Sequence, residues 1–140
     1  MRKKIISFNE IDKITKQLKK KRSKIVLCHG VFDLLHIGHI KHFESAKSFG
    51  DILIISVTPD KFVQKGFNRP YFNSEQRMES LASIKLVDFV VLNYSKNAVD
   101  VINKVKPHFY CKGPDYKNFD KDITGQIKNE QKAVTKYGVQ

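Results

Sequence analysis

Four of the five histidines in this chain of 140 residues fall between His29 and His42. Two of them, His36 and His39, lie on either side of Gly38, where a loop leads into a helical pattern. A helix start offers unpaired backbone N–H groups and a partial positive charge. Glycine lets a phosphate approach the backbone, and imidazole N–H groups donate hydrogen bonds to phosphate oxygens. The spacing therefore predicts a phosphate site suited to phosphoryl or nucleotidyl transfer, in which positioning and charge stabilisation do most of the catalysis.

Two other interpretations of these histidines remain open. A zinc site would use His36, His39 and His42, but a glycine at a helix start and the lack of a nearby cluster of carboxylates or thiolates are unfavourable for it. Alternatively, the histidines occupy the core or the surface without a chemical role. The phosphate interpretation is favoured, and no metal ion is expected on the protein's own side chains.

Apolar runs that alternate with helical patterns must position this loop. The predicted strands are 24–28, 51–57, 89–92 and 108–112, and the predicted helices are 40–49, about 74–83, about 97–105 and about 120–137. This alternation predicts an α/β fold with a Rossmann-like, doubly wound parallel sheet. Such sheets bind ligands at the carboxyl ends of their strands. The loops that follow the four predicted strands are therefore expected to form the site, and the longest of them, 58–73, is predicted to be functional.

The positive charge of the chain is concentrated near its start. Lys plus Arg outnumber Asp plus Glu by 26 to 14, which gives a net charge of +12. Ten of the basic residues and two acidic residues fall in residues 1–24, where Ile11, Ile14 and Leu18 have helical spacing. We therefore predict a basic helical connector over residues 1–23, packed by its apolar stripe on a domain of residues 24–140. An arm that binds nucleic acid or a membrane surface is the alternative.

The composition is that of a globular protein, with 41% hydrophobic and 29% charged residues. No apolar run approaches the roughly 18 residues of a membrane span. No apolar segment follows the basic N-terminal residues, as it would in a secretory signal. Cys28 and Cys111 are predicted to be free, buried thiols, which is usual in a reducing compartment. These features predict a cytoplasmic protein.

Several motifs together resemble a known family. Residues 30–39, Gly-Val-Phe-Asp-Leu-Leu-His-Ile-Gly-His, resemble the cytidylyltransferase-like branch of the HxGH nucleotidyltransferase superfamily. Residues 68–78 are similar to the loop-and-helix motif of that family, which has an arginine at each end. Residues 106–116 are similar to the KPD…KGxDY segment in the adenylyltransferase domain of bacterial ADP-heptose synthases. The resemblance extends over residues 8–138 and implies that a phosphate-bearing substrate attacks the α-phosphorus of a nucleoside triphosphate.

The resemblance also implies which residues form the site. Catalytic roles, in holding the triphosphate or stabilising charge at the α-phosphorus, are implied for His36, His39, Lys41 and Arg77. Nucleotide-binding roles are implied for Gly30, Val31, Phe32, Asp33, Gly38, Lys112 and Asp115, and a substrate-binding role for Arg69. Mg²⁺ is implied as the partner of the triphosphate. Other interpretations remain open: a salt bridge to Glu75 or Glu79 for Arg77, a solvated helix position for Lys41, and a strand end for Lys112.

The family pattern continues into a last strand and a Ser/Thr-rich motif that contacts the nucleotide's phosphates. That motif is not found before Gln140, so the domain is expected to lack it.

We expect transfer of a nucleoside monophosphate, from ATP in first place, to a sugar phosphate such as heptose 1-phosphate, with release of pyrophosphate, for lipopolysaccharide or capsule-type precursors. CTP with glycerol 3-phosphate or a phosphoalcohol is one alternative, and a nucleotide-binding module without turnover is another. The resemblance allows a homodimer. Nucleic acid is unexpected as a partner because the basic residues of the body converge on one phosphate-binding loop, and no membrane partner is expected.

Overall fold

Five parallel strands form one sheet. The computed structural model describes residues 2–63, 70–95 and 97–111. In chain order the strands are β1 (Ile5–Ile6), β2 (Ile25–Gly30), β3 (Ile52–Val57), β4 (Phe89–Leu92) and β5 (Phe109–Cys111). Their order across the sheet is β1-β4-β3-β2-β5, and the pairings between them are all parallel. The predicted Rossmann-like parallel sheet is confirmed.

Helices cover both faces of the sheet. They are α1 (Ile11–Lys20), α2 (Ile37–Lys47), α3 (Ser74–Ala82) and α4 (Val99–Val105). Side chains alternate along β2, so Val26 and Cys28 belong to the core under α2 and α3, whereas Ile25 and Leu27 belong to the core under α1 and α4. A strand that is covered on both faces must be apolar at successive positions, which explains the uninterrupted apolar runs of β2 and β3.

The basic N-terminal segment belongs to the sheet and to one helical layer. Strand β1 pairs with β4, with Ile5 opposite Val90. Ile11 is only 1% exposed in the core under α1 and α4, and Asp12 forms an ion pair with Lys104 of α4. The predicted packing of an apolar stripe is thus confirmed. Strand β1 was not predicted, because a strand of two residues is too short to show a periodic pattern. The domain boundary at residue 23 stays a prediction.

The largest differences from the predicted bounds are at α2 and in the loop 58–73. Helix α2 begins at Ile37, three residues before the predicted start, because His36 caps it. The predicted loop 58–73 contains a short 3-10 helix, Asp60–Phe62, and ends at Asn73, which caps α3. Residues 64–69 of that loop and the predicted helix 120–137 lie outside the described residues.

The two cysteines are free thiols on neighbouring strands, with Cys28 opposite Cys111. Burial raises the pKa of both thiols, so both stay protonated near neutral pH and are poor nucleophiles. Cys111 is half-buried rather than buried, because β5 lies at the edge of the sheet as described.

Among the described residues, no helix is both long and apolar enough to cross a bilayer.

The packing of α1 is tested by replacing Ile11 with alanine. Because Ile11 is buried between α1 and α4, we expect Ile11→Ala to lower the free energy of unfolding by roughly 2–4 kcal/mol in a urea titration. Ile14→Ala is the matched control, since the same substitution at a half-buried position of the same helix has the same propensity change and a smaller loss of packing. Equal urea midpoints for wild type and Ile11→Ala would contradict the packing of the basic N-terminal segment on the domain.

Candidate functional site

Two histidines cap the amino end of α2, which follows the carboxyl end of β2. His36 is the N-cap residue, and its Nδ1 accepts a hydrogen bond from the Gly38 N–H at 2.9 Å. The Nδ1 of His39 in turn accepts from the His36 N–H at 3.2 Å. A nitrogen that accepts from an N–H group carries no proton, so the network assigns the proton of each neutral ring to Nε2. Each ring therefore presents an N–H donor on the side away from its own backbone.

Gly38 makes room for the ring of His36. A β-carbon at residue 38 would lie 2.6 Å from Cε1 of His36 and 2.9 Å from its Nδ1. The ring centroids of His36 and His39 are 4.2 Å apart, so a displaced His36 ring would also disturb its neighbour. The sequence predicted that Gly38 admits a phosphate. That role stays a prediction, and the structure adds the placement of the imidazole.

The loop between β2 and α2 turns sharply at Phe32, which has a left-handed φ of 53°. The Phe32 ring is buried edge-on against Phe43, at 5.5 Å between centroids, and against His39, at 5.8 Å. A β-carbon on Gly30 would lie 3.0 Å from Cζ of this ring. The small residue at 30 and the aromatic residue at 32 thus fix the turn that leads to the histidines.

Asp33 joins this loop to the segment before α3. Its carboxylate accepts hydrogen bonds from the backbone N–H groups of Tyr71 at 2.8 Å and Phe72 at 2.9 Å, and the residue is 7% exposed. A carboxylate that accepts backbone N–H groups positions protein segments, and its charge repels phosphate. The structure therefore gives Asp33 a positioning role, whereas its predicted contact with the nucleotide stays a prediction.

Arg77 is buried beneath the site, with 1% exposure. Its Nη1 donates to the carbonyls of Val31 at 2.8 Å and Thr58 at 2.9 Å, and its Nε donates to the carbonyl of Phe72 at 3.0 Å. Its Nη2 pairs with the carboxylate of Asp60. The alternative of a surface salt bridge with Glu75 or Glu79 is wrong in its partner and in its location. A catalytic role for Arg77 stays a prediction, while the observed contacts are those of a residue that positions three loops.

The remaining predicted residues are not brought to the histidine pair by the described contacts. Lys41 is exposed on α2 and has no ion-pair partner among the described residues. Arg69, Lys112 and Asp115 lie outside the described residues, so their predicted roles stay predictions. His42 is half-buried, and burial lowers the pKa of its ring, which favours the neutral form.

No metal cluster is found in the described part of the chain, where no three His, Cys, Asp or Glu side chains are grouped as ligands. The Nδ1 atoms of His36 and His39 are engaged by backbone N–H groups. The site offers hydrogen-bond donors and a helix amino end, which suits an anion.

Sequence reasoning missed two residues that shape the site. Asp60 pairs with Arg77, and Thr58 bonds to Gly30 through its backbone N–H at 2.9 Å and its hydroxyl at 3.3 Å. Both residues lie just after the carboxyl end of β3, in the loop that the sequence marked as functional. Their position next to a strand end was the available signal, since parallel sheets place such residues at one edge.

The comparisons with known proteins agree with this geometry. The sequence model of the cytidylyltransferase-like family matches residues 27–139. The Bifunctional protein HldE of Aliarcobacter butzleri (strain RM4018) is 41% identical over 133 residues, which covers 93% of this chain and 28% of that protein. The Bifunctional protein HldE of Helicobacter pylori (strain G27) is 35% identical over 130 residues, covering 91% of this chain and 28% of that protein. The chain therefore spans little more than a quarter of the length of these relatives.

Two solved structures share the fold. A lipopolysaccharide core biosynthesis protein from Thermoplasma volcanium GSS1 has a TM-score of 0.68 and 27% identity, with 84% of this chain and 90% of that chain covered. A pantoate-beta-alanine ligase from Francisella tularensis has a TM-score of 0.59 and 19% identity, with 96% of this chain and 63% of that chain covered. The second likeness concerns the fold alone.

The positioning role of Arg77 is tested by Arg77→Lys. A lysine has one nitrogen and cannot bond to three carbonyls and a carboxylate in the geometry of the guanidinium. We expect the free energy of unfolding to fall by roughly 3 kcal/mol, because buried carbonyls and Asp60 lose their partner. Urea denaturation followed by circular dichroism measures it.

Arg22→Lys is the matched control for this experiment, since Arg22 is exposed and no measurable change is expected. An Arg77→Lys protein as stable as wild type would contradict the positioning role and favour the predicted contact of the guanidinium with substrate.

Proposed function

Because the chain belongs to the cytidylyltransferase-like family, we propose that it transfers a nucleoside monophosphate from a nucleoside triphosphate, ATP in first place, to a sugar phosphate such as heptose 1-phosphate. Family membership confirms the prediction of a nucleotidyltransferase at the level of the family, and the nucleotide and the acceptor are the proposal. The observation that carries it is the pair of histidine rings at the amino end of α2, whose Nδ1 atoms accept backbone N–H groups. This pair lies at the carboxyl edge of a parallel sheet, where ligands of such folds bind.

The choice of substrates is supported by sequence and by the relatives. Residues 106–116 resemble the adenylyltransferase domain of ADP-heptose synthases, which favours ATP and heptose 1-phosphate. A solved structure with 27% identity is named a lipopolysaccharide core biosynthesis protein, which favours a lipopolysaccharide precursor as product. The segment 30–36 is equally compatible with CTP and glycerol 3-phosphate or a phosphoalcohol, so this pair is the second candidate.

In the proposed reaction, a phosphate oxygen of the acceptor attacks the α-phosphorus of the nucleotide. A new P–O bond forms there, and the bond to the leaving pyrophosphate breaks. Negative charge on the phosphoryl oxygens is stabilised by donors that are already aimed at their position. His36 and His39 supply two such donors, and the backbone N–H groups at the start of α2 supply the partial positive charge of a helix end.

Mg²⁺ is part of the proposal as the partner of the triphosphate. At this end of the sheet, the carboxylate of Asp33 accepts hydrogen bonds from backbone N–H groups. The carboxylate of Asp60 forms an ion pair with Arg77. A magnesium ion would therefore be held mainly by the oxygens of the nucleotide, and it would neutralise charge on the leaving pyrophosphate. The chain's own contribution would be to bind and orient the phosphates.

A cytoplasmic location and a homodimer also belong to the proposal. The location is supported by two free cysteines with protonated thiols. The described residues contain no span-length apolar helix, which is compatible with that location but also with others.

The proposed function is tested by incubating the chain with ATP or CTP, Mg²⁺ and one acceptor at a time. Heptose 1-phosphate and glycerol 3-phosphate are the acceptors, and released pyrophosphate is measured with a coupled enzyme assay. We expect release with ATP and heptose 1-phosphate, and its loss after chelation of the metal. Release only with CTP and glycerol 3-phosphate would favour the second candidate. A melting temperature raised by nucleotide without any release would indicate a binding module.

The histidine pair is tested by comparing His36→Asn with His36→Ala. Asparagine is a good N-cap residue, so it keeps the acceptor for the N–H groups of α2 but lacks the Nε2–H donor. We expect both variants to lose turnover by roughly 10²-fold or more, the scale for loss of one charge-stabilising donor. Only the alanine variant should also lose stability, by about 1 kcal/mol.

Pyrophosphate release and thermal denaturation are measured on the same samples. A His36→Asn protein with wild-type turnover would show that the ring acts only as a helix cap.

A further inference from the structure

Three buried polar side chains form a hydrogen-bonded row beneath the loop between β2 and α2. His29 is the last residue but one of β2, Ser56 lies opposite it on β3, and Thr58 follows β3. Their exposed fractions are 8%, 0% and 6%. The Nδ1 of His29 is 2.6 Å from Oγ of Ser56, and its Nε2 is 3.4 Å from Oγ1 of Thr58. Neither His29 nor Ser56 has a role in the proposed phosphate contacts.

The direction of these hydrogen bonds depends on which ring nitrogen of His29 carries the proton. Thr58 has one hydroxyl proton, and its Oγ1 lies 3.3 Å from the carbonyl of Gly30, which can only accept. When Thr58 donates to that carbonyl, its oxygen accepts from His29, and Nε2 of His29 carries the ring proton. A neutral ring protonated on Nε2 accepts at Nδ1 from the hydroxyl of Ser56. In this tautomer the row runs from Ser56 through His29 and Thr58 to the Gly30 carbonyl.

This row ends at the first residue of the sharp turn that leads to the histidine pair. The carbonyl of Gly30 also accepts from the Thr58 N–H at 2.9 Å, and the next carbonyl, that of Val31, accepts from Arg77. A β-carbon added to Gly30 would lie 3.0 Å from the ring of Phe32, so residue 30 packs closely against that ring. Thr58 thus connects the His29 ring to the backbone at the start of the turn.

We propose that His29 is a positioning residue for nucleotidyl transfer: it fixes Thr58, and through it the Gly30 carbonyl, so that the loop presents His36 and His39 to the phosphates. This inference rests on the proposed function. His29 itself touches no substrate in this arrangement, since its ring is buried between β2 and β3. A misplacement of about 1 Å at a reacting centre costs roughly 10²-fold in rate, so a small shift of the loop would be visible in turnover.

The first test is the tautomer of His29 in the full chain, measured from the ¹⁵N chemical shifts of its ring near neutral pH. The signal is assigned by its loss in His29→Gln. We expect protonation on Nε2 alone. Protonation on Nδ1, or on both nitrogens, would overturn the row of hydrogen bonds whether or not the chain turns over substrate.

The second test separates positioning from simple packing. His29→Leu keeps much of the side-chain volume but removes both ring nitrogens, whereas His29→Gln keeps an amide that can donate to Thr58. We expect His29→Leu to lose roughly 10-fold or more in kcat with little change in the KM for nucleotide, and His29→Gln to restore most of the loss. Circular dichroism confirms that each sample is folded at the assay temperature.

Two outcomes of the second test would overturn the role of His29 and leave the proposed function intact. One is a folded His29→Leu protein with wild-type kcat. The other is an equal loss in the leucine and glutamine variants, which indicates that the ring matters only for packing. A wild-type chain without pyrophosphate release overturns the proposed function and the positioning role together, so the two failures are distinguishable.

Discussion

The guanidinium of Arg77 is the interaction on which the geometry of the site depends, because it bonds to three separate loop segments. It accepts no hydrogen bond and cannot lose its charge, so its burial is tolerable only when its donors are satisfied. The carbonyls of Val31, Thr58 and Phe72 and the carboxylate of Asp60 satisfy them. Each of these segments is thereby held at the same edge of the sheet. The loop between β2 and α2, the turn after β3 and the segment before α3 are therefore linked through one side chain.

A second constraint lies at the amino end of α2, where structural and chemical tasks fall on the same atoms. The helix needs acceptors for its first N–H groups, and the Nδ1 atoms of His36 and His39 provide them. The same bonds decide the tautomer of both rings, which leaves Nε2–H as the donor. The hydrogen bonds that cap the helix thus also set the ring orientation on which the proposed phosphate site depends. Gly38 is required because a side chain there would collide with the His36 ring.

Much of the fold could be predicted from the sequence, because strands covered on both faces leave uninterrupted apolar runs such as Ile52–Val57. The apolar pattern placed the start of α2 three residues late, because histidine is not among the usual N-cap residues. The alternative that pairs Arg77 with Glu75 or Glu79 was wrong. The actual partner, Asp60, is 17 residues away in sequence and meets Arg77 only in the folded chain. The histidine spacing identified the location of the candidate site. The positioning roles of Asp33, Thr58 and His29 depend on tertiary contacts that no local pattern encodes.

The left-handed backbone of Phe32 has a consequence for ligand affinity. A residue with a β-carbon in this conformation is strained by on the order of 1 kcal/mol, and here the burial of its ring against Phe43 offsets that cost. The energetic cost of this conformation is therefore offset during folding, before any anion binds. A loop that is already ordered loses little conformational entropy on binding, so more of the interaction energy with a phosphate remains as affinity.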